Sequence, residues 1–206
     1  MGQDTGRGKV DMTSHETDQD VQLMLQFKEG DEDSFRQLFS KYQSRIITFC
    51  FRFCNDQVLA EDLTQEIFLR VYQGARRYRP KARFSTWLYR IAVNTCLNEA
   101  RRLKKGHGIQ SMEQPAMYAE KNSPPEYRDN DHISAEETMV ARQRDEKIKA
   151  AIAKLPAQQR AAVVLRIYDE FSYKEIADQL SVTKGKVKTL IYRARQRMKQ
   201  TLSQWL

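Results

Sequence analysis

Between Lys184 and Lys199 the chain places seven cations, Lys184, Lys186, Lys188, Arg193, Arg195, Arg197 and Lys199, with no acidic residue among them. A helix carrying that many uncompensated charges repels itself unless a polyanion lies beside it, and duplex DNA is the simplest polyanion of matching shape. A solvated basic face is the alternative reading of the same run. A second cationic stretch differs in kind: from Arg70 to Lys105 eleven Lys/Arg stand against one acid, Glu99, interleaved with Tyr72, Tyr78, Phe84, Trp87 and Tyr89. Rings beside cations hold unstacked bases, because each ring stacks on a base while the cations follow the backbone. Within this stretch Arg90, Asn94 and Asn98 recur at helical spacing, and Arg and Asn are the residue types that pair with base edges. The segment YRPKARF, Tyr78 to Phe84, contains Pro80 and reads as a loop between helices that could receive a flipped base. Aromatics in the core and asparagines on a wet surface are the plainer alternative.

The elements that position these residues are helical. Apolar residues recur on one face at Leu59, Leu63, Ile67 and Val71, and again at Leu88, Ile91, Cys96, Ala100 and Leu103. Ser172 with Glu175 makes a capping box, and Ser134 with Glu137 makes another that opens a helix ended by Pro156. In YKEIADQLSVTKGKVKTLIYRARQR, the residues Ile176, Ala177, Leu180, Val182, Val187 and Leu190 fall where two helices crossing through a tight turn need apolar contacts. Small Ala177 permits close approach, Ser181 and Val182 form the turn, and Thr183 caps the second helix. That pattern is a helix-turn-helix whose second helix reads the major groove through Lys184, Gly185, Lys186 and Lys188, with Arg193, Arg195 and Arg197 on phosphates. No period-2 strand is evident, so the fold class expected is all-α: two small helical domains joined by a flexible acidic linker, the second containing the helix-turn-helix.

Charge along the chain supports that division. The 206 residues carry 35 Lys+Arg and 27 Asp+Glu, a net +8. By segment the balance is −3 over residues 1–20, +7 over 21–108, −4 over 109–136 and +8 over 137–206. Residues 109–134 hold Pro115, Pro124 and Pro125, few aliphatics and no helical period, the composition of a linker that cannot bury enough surface to outweigh chain entropy. A long loop within one domain is the alternative. Four segments are therefore expected: an acidic tail over 1–20, a helical domain over 21–108, a linker over 109–134 and a second domain over 135–206.

The longest nearly apolar stretch, Ile46 to Phe51, is too short to span a bilayer, and the polar N-terminus carries no export signal, so a cytoplasmic protein is expected. Cys50, Cys54 and Cys96 are odd in number and read as small buried hydrophobes. His15, His107 and His132 lie in polar segments and receive no role. Asp31, Glu32 and Asp33 are the only tight acidic group and suit a helix N-terminus. With no phosphate loop, zinc-ligand spacing or nucleophile elbow, the sequence predicts no enzyme, no metal and no cofactor. The face of AEDLTQEIFLRVY that carries Asp62, Gln65, Glu66 and Arg70 is badly placed for DNA and reads either as solvated or as the docking face of a protein partner. A stand-alone duplex-binding repressor or activator remains the competing reading, but it needs no strand-capturing aromatic block.

Three ordered blocks, AEDLTQEIFLRVY, RFSTWLYRIAVNTCLNEARR and LPAQQRAAVVLRIYDEFSYKEIADQLSVTKGKVKTLIYRARQRM, resemble those of the extracytoplasmic-function (ECF) RNA polymerase sigma factors, over about residues 20–105 and 135–202. The resemblance implies that core RNA polymerase is a partner, docked by Asp62, Gln65, Glu66 and Arg70 onto the clamp helices of its largest subunit. It implies that promoter DNA is melted and its start-proximal element read by Tyr72, Arg76, Tyr78, Arg79, Lys81, Phe84, Trp87, Arg90, Asn94 and Asn98. It implies that Ser172, Tyr173, Thr183, Lys184, Gly185, Lys186, Lys188, Thr189, Tyr192, Arg193 and Arg195 bind the upstream element as duplex. The linker would thread toward the polymerase cleft, and an anti-sigma factor would hold the chain inactive. At the start of the recognition helix the family's usual Ser-Val-Gly-Thr-Val-Lys-Ser is here TKGKVKT, which adds two lysines and raises the expected phosphate affinity.

Overall fold

A computed structural model describes residues 18–106 and 135–203, and within them every regular element is helical. The elements are α1 (Gln19–Lys28), α2 (Glu32–Cys54), α3 (Gln57–Gly74), a 3-10 turn (Ala75–Arg77), α4 (Phe84–Gly106), α5 (Ala135–Ala153), α6 (Ala157–Ile167), α7 (Tyr173–Leu180) and α8 (Lys184–Leu202). Residues 1–17 of the expected tail (1–20), the whole expected linker over 109–134 and the Ser134 cap lie outside the described residues, while the last three tail positions, Asp18, Gln19 and Asp20, open α1.

Local chemistry sets the helix ends. Asp18, Asp31 and Asp56 each stand in extended backbone at an N-cap, and their carboxylates accept from the amides of Asp20, Asp33 and Leu59 at 3.1, 3.1 and 3.0 Å. Asp31 also accepts from the Ser34 hydroxyl at 2.6 Å, which holds its carboxyl below the usual range. The acidic triplet is thus the start of α2, as its spacing predicts. Asn55 closes α2 in the left-handed conformation (φ 56°), a geometry that Asn tolerates.

In the first half α2 packs on α1 and α3, and α4 packs on α3, around Ile46, Phe49, Ile67, Val71, Leu88 and Val93, all buried. The predicted stripe on α3 is buried at Leu63, Ile67 and Val71 and half-buried at Leu59. On α4 the stripe drifts outward: Leu88 and Cys96 are buried, Ile91 and Ala100 half-buried, and Leu103 is 43% exposed. Buried Asp20 ties α1 to α2, accepting from the Tyr42 hydroxyl and the Lys41 ammonium, each at 2.5 Å.

In the second half α8 packs on α6, α7 and α5 through Val187, Leu190, Ile191 and Ala194, against Ile176, Ala177 and Leu180 of α7. The two halves do not stand apart. Helices α4 and α2 pack against α7, α6 and α5, and the apolar cores merge into one cluster. Arg160 of α6 lies at this junction. Its guanidinium donates to Phe53 O at 2.9 Å, to Leu155 O at 3.0 Å and to Ala153 O, and sits 5.1 Å over the Phe53 ring. It therefore caps the C-terminal carbonyls of α2 and α5 together, and burial lowers its pKa.

Candidate nucleic-acid interface

The α7–α8 unit is a helix-turn-helix. Ser172 and Glu175 form a reciprocal capping box, with the Glu175 amide donating to Ser172 Oγ at 3.2 Å and the Ser172 amide donating to Glu175 Oε2 at 2.8 Å. These bonds hold the Glu175 carboxyl below its usual range. Ser181 turns the chain in the left-handed conformation (φ 53°), and Thr183 Oγ1 accepts from the Lys186 amide at 3.2 Å to start α8. With Val187, Leu190, Ile191 and Ala194 pinned inward, Lys184, Gly185, Lys186, Lys188, Thr189, Tyr192, Arg193 and Arg195 all face outward. Among the described residues none of these cations is within an ion pair. A Cβ built on Gly185 meets only Thr183 Oγ1, at 4.0 Å, so internal packing does not require glycine there. Tyr173 is half-buried, with the Arg166 guanidinium 5.5 Å over its ring, and the Ser172 hydroxyl serves the cap.

The second basic surface runs from the end of α3 to the start of α4. Arg76, Arg79 and Lys81 are exposed, and Lys28 of α1 donates to Tyr78 O at 3.3 Å, bracing the loop. Tyr78 and Phe84, expected on the loop rim, are instead core residues, 2% and 0% exposed. Their rings lie 6.4 Å apart, with Tyr78 4.9 Å from Trp87 and Phe84 5.4 Å from Tyr42. Burying a large ring gains about 1.5–3 kcal/mol over leaving it in water, so the loop turns its cations outward and its rings in. Burial also pushes the Tyr78 hydroxyl up to about 12. Trp87 is half-buried and packs over Gly74, where a Cβ would come within 3.3 Å of the indole. Tyr72 is 43% exposed, but its hydroxyl donates to Glu32 at 2.9 Å and its ring leans on Phe27 and Phe35. That hydrogen bond holds the Tyr72 hydroxyl above its usual pKa.

Arg90, Asn94 and Asn98 share an exposed face of α4, as their spacing predicts. Arg90 nevertheless donates to Asp178 O at 3.0 Å, and Asn98 accepts from Arg101 at 2.6 Å. Tyr89 is buried and donates to Asp169 at 2.7 Å, while Gln179 donates to Thr86 O at 3.1 Å. These cross-links between the halves were not visible in the sequence, because the partners lie 80 to 93 residues apart.

On α3 the residues Asp62, Gln65, Glu66 and Arg70 are all exposed. Glu66 pairs with Arg70 at 2.6 Å, and Glu99 of α4 pairs with Arg102 at 2.8 Å. Together with Asn98 these four line a shallow polar groove between α3 and α4. Glu99 and Arg102 were missed as parts of this surface, although their i, i+3 spacing is a readable signal. Cys50 and Cys96 are buried with their sulfurs 3.9 Å apart, and half-buried Cys54 lies one turn from Cys50, pushed up to about 12 by burial. All three are free thiols. The histidines lie outside the described residues, and none of the described helices is long and apolar enough to cross a membrane.

This geometry can be set beside known proteins. Residues 38–106 match the family described as sigma-70 region 2, and residues 145–198 match sigma-70 region 4. The ECF RNA polymerase sigma factor SigW of Bacillus subtilis is 32% identical over 86% of this chain and 93% of its own length. The RNA polymerase sigma-H factor of Pseudomonas aeruginosa is 31% identical over 90% of this chain and 94% of its own. Among solved structures, CnrH in complex with the cytosolic domain of CnrY aligns over 90% of this chain and 98% of its own at a TM-score of 0.63 and 21% identity. The sigma factor RpoE in complex with the anti-sigma factor NepR from Bartonella quintana aligns over 82% and 96% at 0.60 and 22%. With both helical halves matched in order and relatives above 30% identity along most of its length, the chain belongs to the ECF RNA polymerase sigma factors.

Proposed function

We propose that the chain is a promoter-specificity subunit without catalysis of its own, which brings core RNA polymerase to particular promoters and stabilises their melted form. The observation that carries this reading is the pairing of two exposed cationic surfaces of different chemistry on one helical body. One is the outward face of α8, from Lys184 to Arg195; the other is the Arg76, Arg79, Lys81, Trp87, Arg90 and Asn94 surface.

Duplex binding falls to α8, whose first turns, from Lys184 to Lys188, enter the major groove while Arg193 and Arg195 meet phosphates, with Thr189 and Tyr192 beside them. Ser172 and Tyr173 lie where α7 crosses the backbone. Strand capture falls to the start of α4, with Trp87 as the stacking ring and Arg90, Asn94 and Asn98 for base edges. Tyr78 and Phe84 act one step back, bracing the Trp87 indole from within. Because these groups prefer unstacked bases, their differential affinity draws the promoter from closed to open. Core polymerase docks on the exposed α3 face of Asp62, Gln65, Glu66 and Arg70, adjoining Glu99 and Arg102.

The segments follow the same division, with 21–108 serving polymerase and open strands and 135–206 the upstream duplex. Control by an anti-sigma factor is supported by the complex in which the sigma factor RpoE is held by the anti-sigma factor NepR. Run-off transcription with sigma-free core polymerase tests the reading. Promoter-dependent transcripts are expected, and a protein that binds duplex but neither core nor promotes transcripts is a repressor or activator instead.

A further inference from the structure

We propose that Asp169, in the loop between α6 and α7, and Tyr89 of α4 form an acid-tightened latch that keeps the two halves closed and withholds Arg90 from nucleic acid. Three cross-links define the closed contact: Tyr89 Oη to Asp169 Oδ1 at 2.7 Å, Arg90 to Asp178 O at 3.0 Å and Gln179 to Thr86 O at 3.1 Å. Phe171 adds a ring contact to Tyr89 at 5.0 Å. Within this contact Asp169 is the unusual group. One carboxylate oxygen takes the Tyr89 hydroxyl, and the other, Oδ2, is buried with no hydrogen-bond partner. A buried carboxylate with an unmet oxygen is expensive when charged and much less so when protonated.

The charged and titratable groups that act on it are Tyr89 on α4 and Arg45 and Arg52 on α2, while Glu170 adjoins it in the chain and Asp178 meets Arg90 at the same contact through its carbonyl. The Tyr89 hydrogen bond and the two α2 arginines favour the carboxylate, but burial outweighs them and pushes Asp169 up to about 6. Tyr89 is itself held neutral by burial, so it remains a donor. Opening the contact returns Asp169 to water and to the ordinary carboxylate value of 3.8. The closed state therefore binds the proton more tightly. Its extra stability is fully present below the ordinary value and is lost as pH rises through about 6. Between pH 7.5 and 5.0 those two values favour closure by about tenfold. The consequence for strand capture rests on the function proposed above; the latch itself does not.

The test is single-molecule energy transfer on the full chain, without DNA or polymerase, using dyes on non-natural residues at exposed Val58 of α3 and Gln196 of α8. The open fraction of the native protein is expected to fall about tenfold between pH 7.5 and 5.0. Asp169→Asn, uncharged at any pH, is expected to stay closed and lose the response. Tyr89→Phe keeps the ring but removes the donor, so it opens further at pH 7.5 and still responds to acid. A native open fraction that does not change, an Asp169→Asn profile parallel to the native one, or no open population at pH 7.5 would each overturn the latch. Helical content by circular dichroism at both pH values separates opening from unfolding. Because no promoter is present, a failed latch leaves promoter reading standing, and a failed run-off leaves the latch standing.

Discussion

The guanidinium of Arg160 reaches from α6 to the carbonyl of Phe53, 107 residues earlier, at 2.9 Å, and stacks on the same residue's ring. One half-buried cation thus satisfies the ends of two helices from opposite halves of the chain. Arg160→Ala leaves the carbonyls of Phe53, Leu155 and Ala153 without this donor, and each buried group so deprived costs about 1–3 kcal/mol. Even at the lower end of that range for all three, a loss of about 3 kcal/mol lowers the melting temperature by roughly 6–12 °C, read by calorimetry. Arg160→Lys recovers only part of it, because an ammonium cannot reach all three acceptors in one geometry.

Trp87 sits at the edge of the core, half exposed, braced by Tyr78 and Phe84. Removing its ring takes away a stacking platform worth about 1–3 kcal/mol. Trp87→Ala is therefore expected to lower transcription from duplex promoters at least fivefold, and much less from pre-melted templates. Equal loss on both templates would assign Trp87 to the core alone.

Lys184 and Lys186 extend from the first turn of α8 on its exposed face. Replacing both by Gln is expected to weaken binding to upstream-element duplex and, because two cations in the groove no longer displace counterions, to reduce the salt slope by up to about 1.8. Fluorescence anisotropy across a salt series measures it. An unchanged slope would remove both lysines from the interface.

Ser181 holds a left-handed turn that glycine occupies at less strain. Ser181→Gly is expected to stabilise the protein by about 0.5–1 kcal/mol, partly reduced by the freedom glycine adds to the unfolded chain. Chemical denaturation reads the shift in midpoint.

Asp20 is 6% exposed and receives both the Tyr42 hydroxyl and the Lys41 ammonium. Asp20→Ala leaves the buried Tyr42 hydroxyl without its acceptor and is expected to destabilise α1 by about 1–3 kcal/mol. Tyr42→Phe together with Asp20→Ala should cost less than Asp20→Ala alone, since no buried donor is then orphaned.

The all-α class, the caps at Ser172 and Thr183, the helix-turn-helix with its outward cations and the polar face on α3 were legible in the residue order. Each is a local matter: periodicity, capping and turn chemistry act over three to eight neighbouring residues, and that information lies side by side in the chain. Whether Tyr78 and Phe84 face solvent was not legible, because an aromatic in a basic segment suits a binding rim and a core equally well until Tyr42 and Trp87 are placed around it. Nor was the contact of the two halves, since Tyr89 meets Asp169 and Gln179 meets Thr86 across 80 and 93 residues. Local pattern specifies which face of a helix is apolar. Which distant face covers it, and hence which carboxylate is buried with an oxygen unmet, is decided only when the whole chain packs.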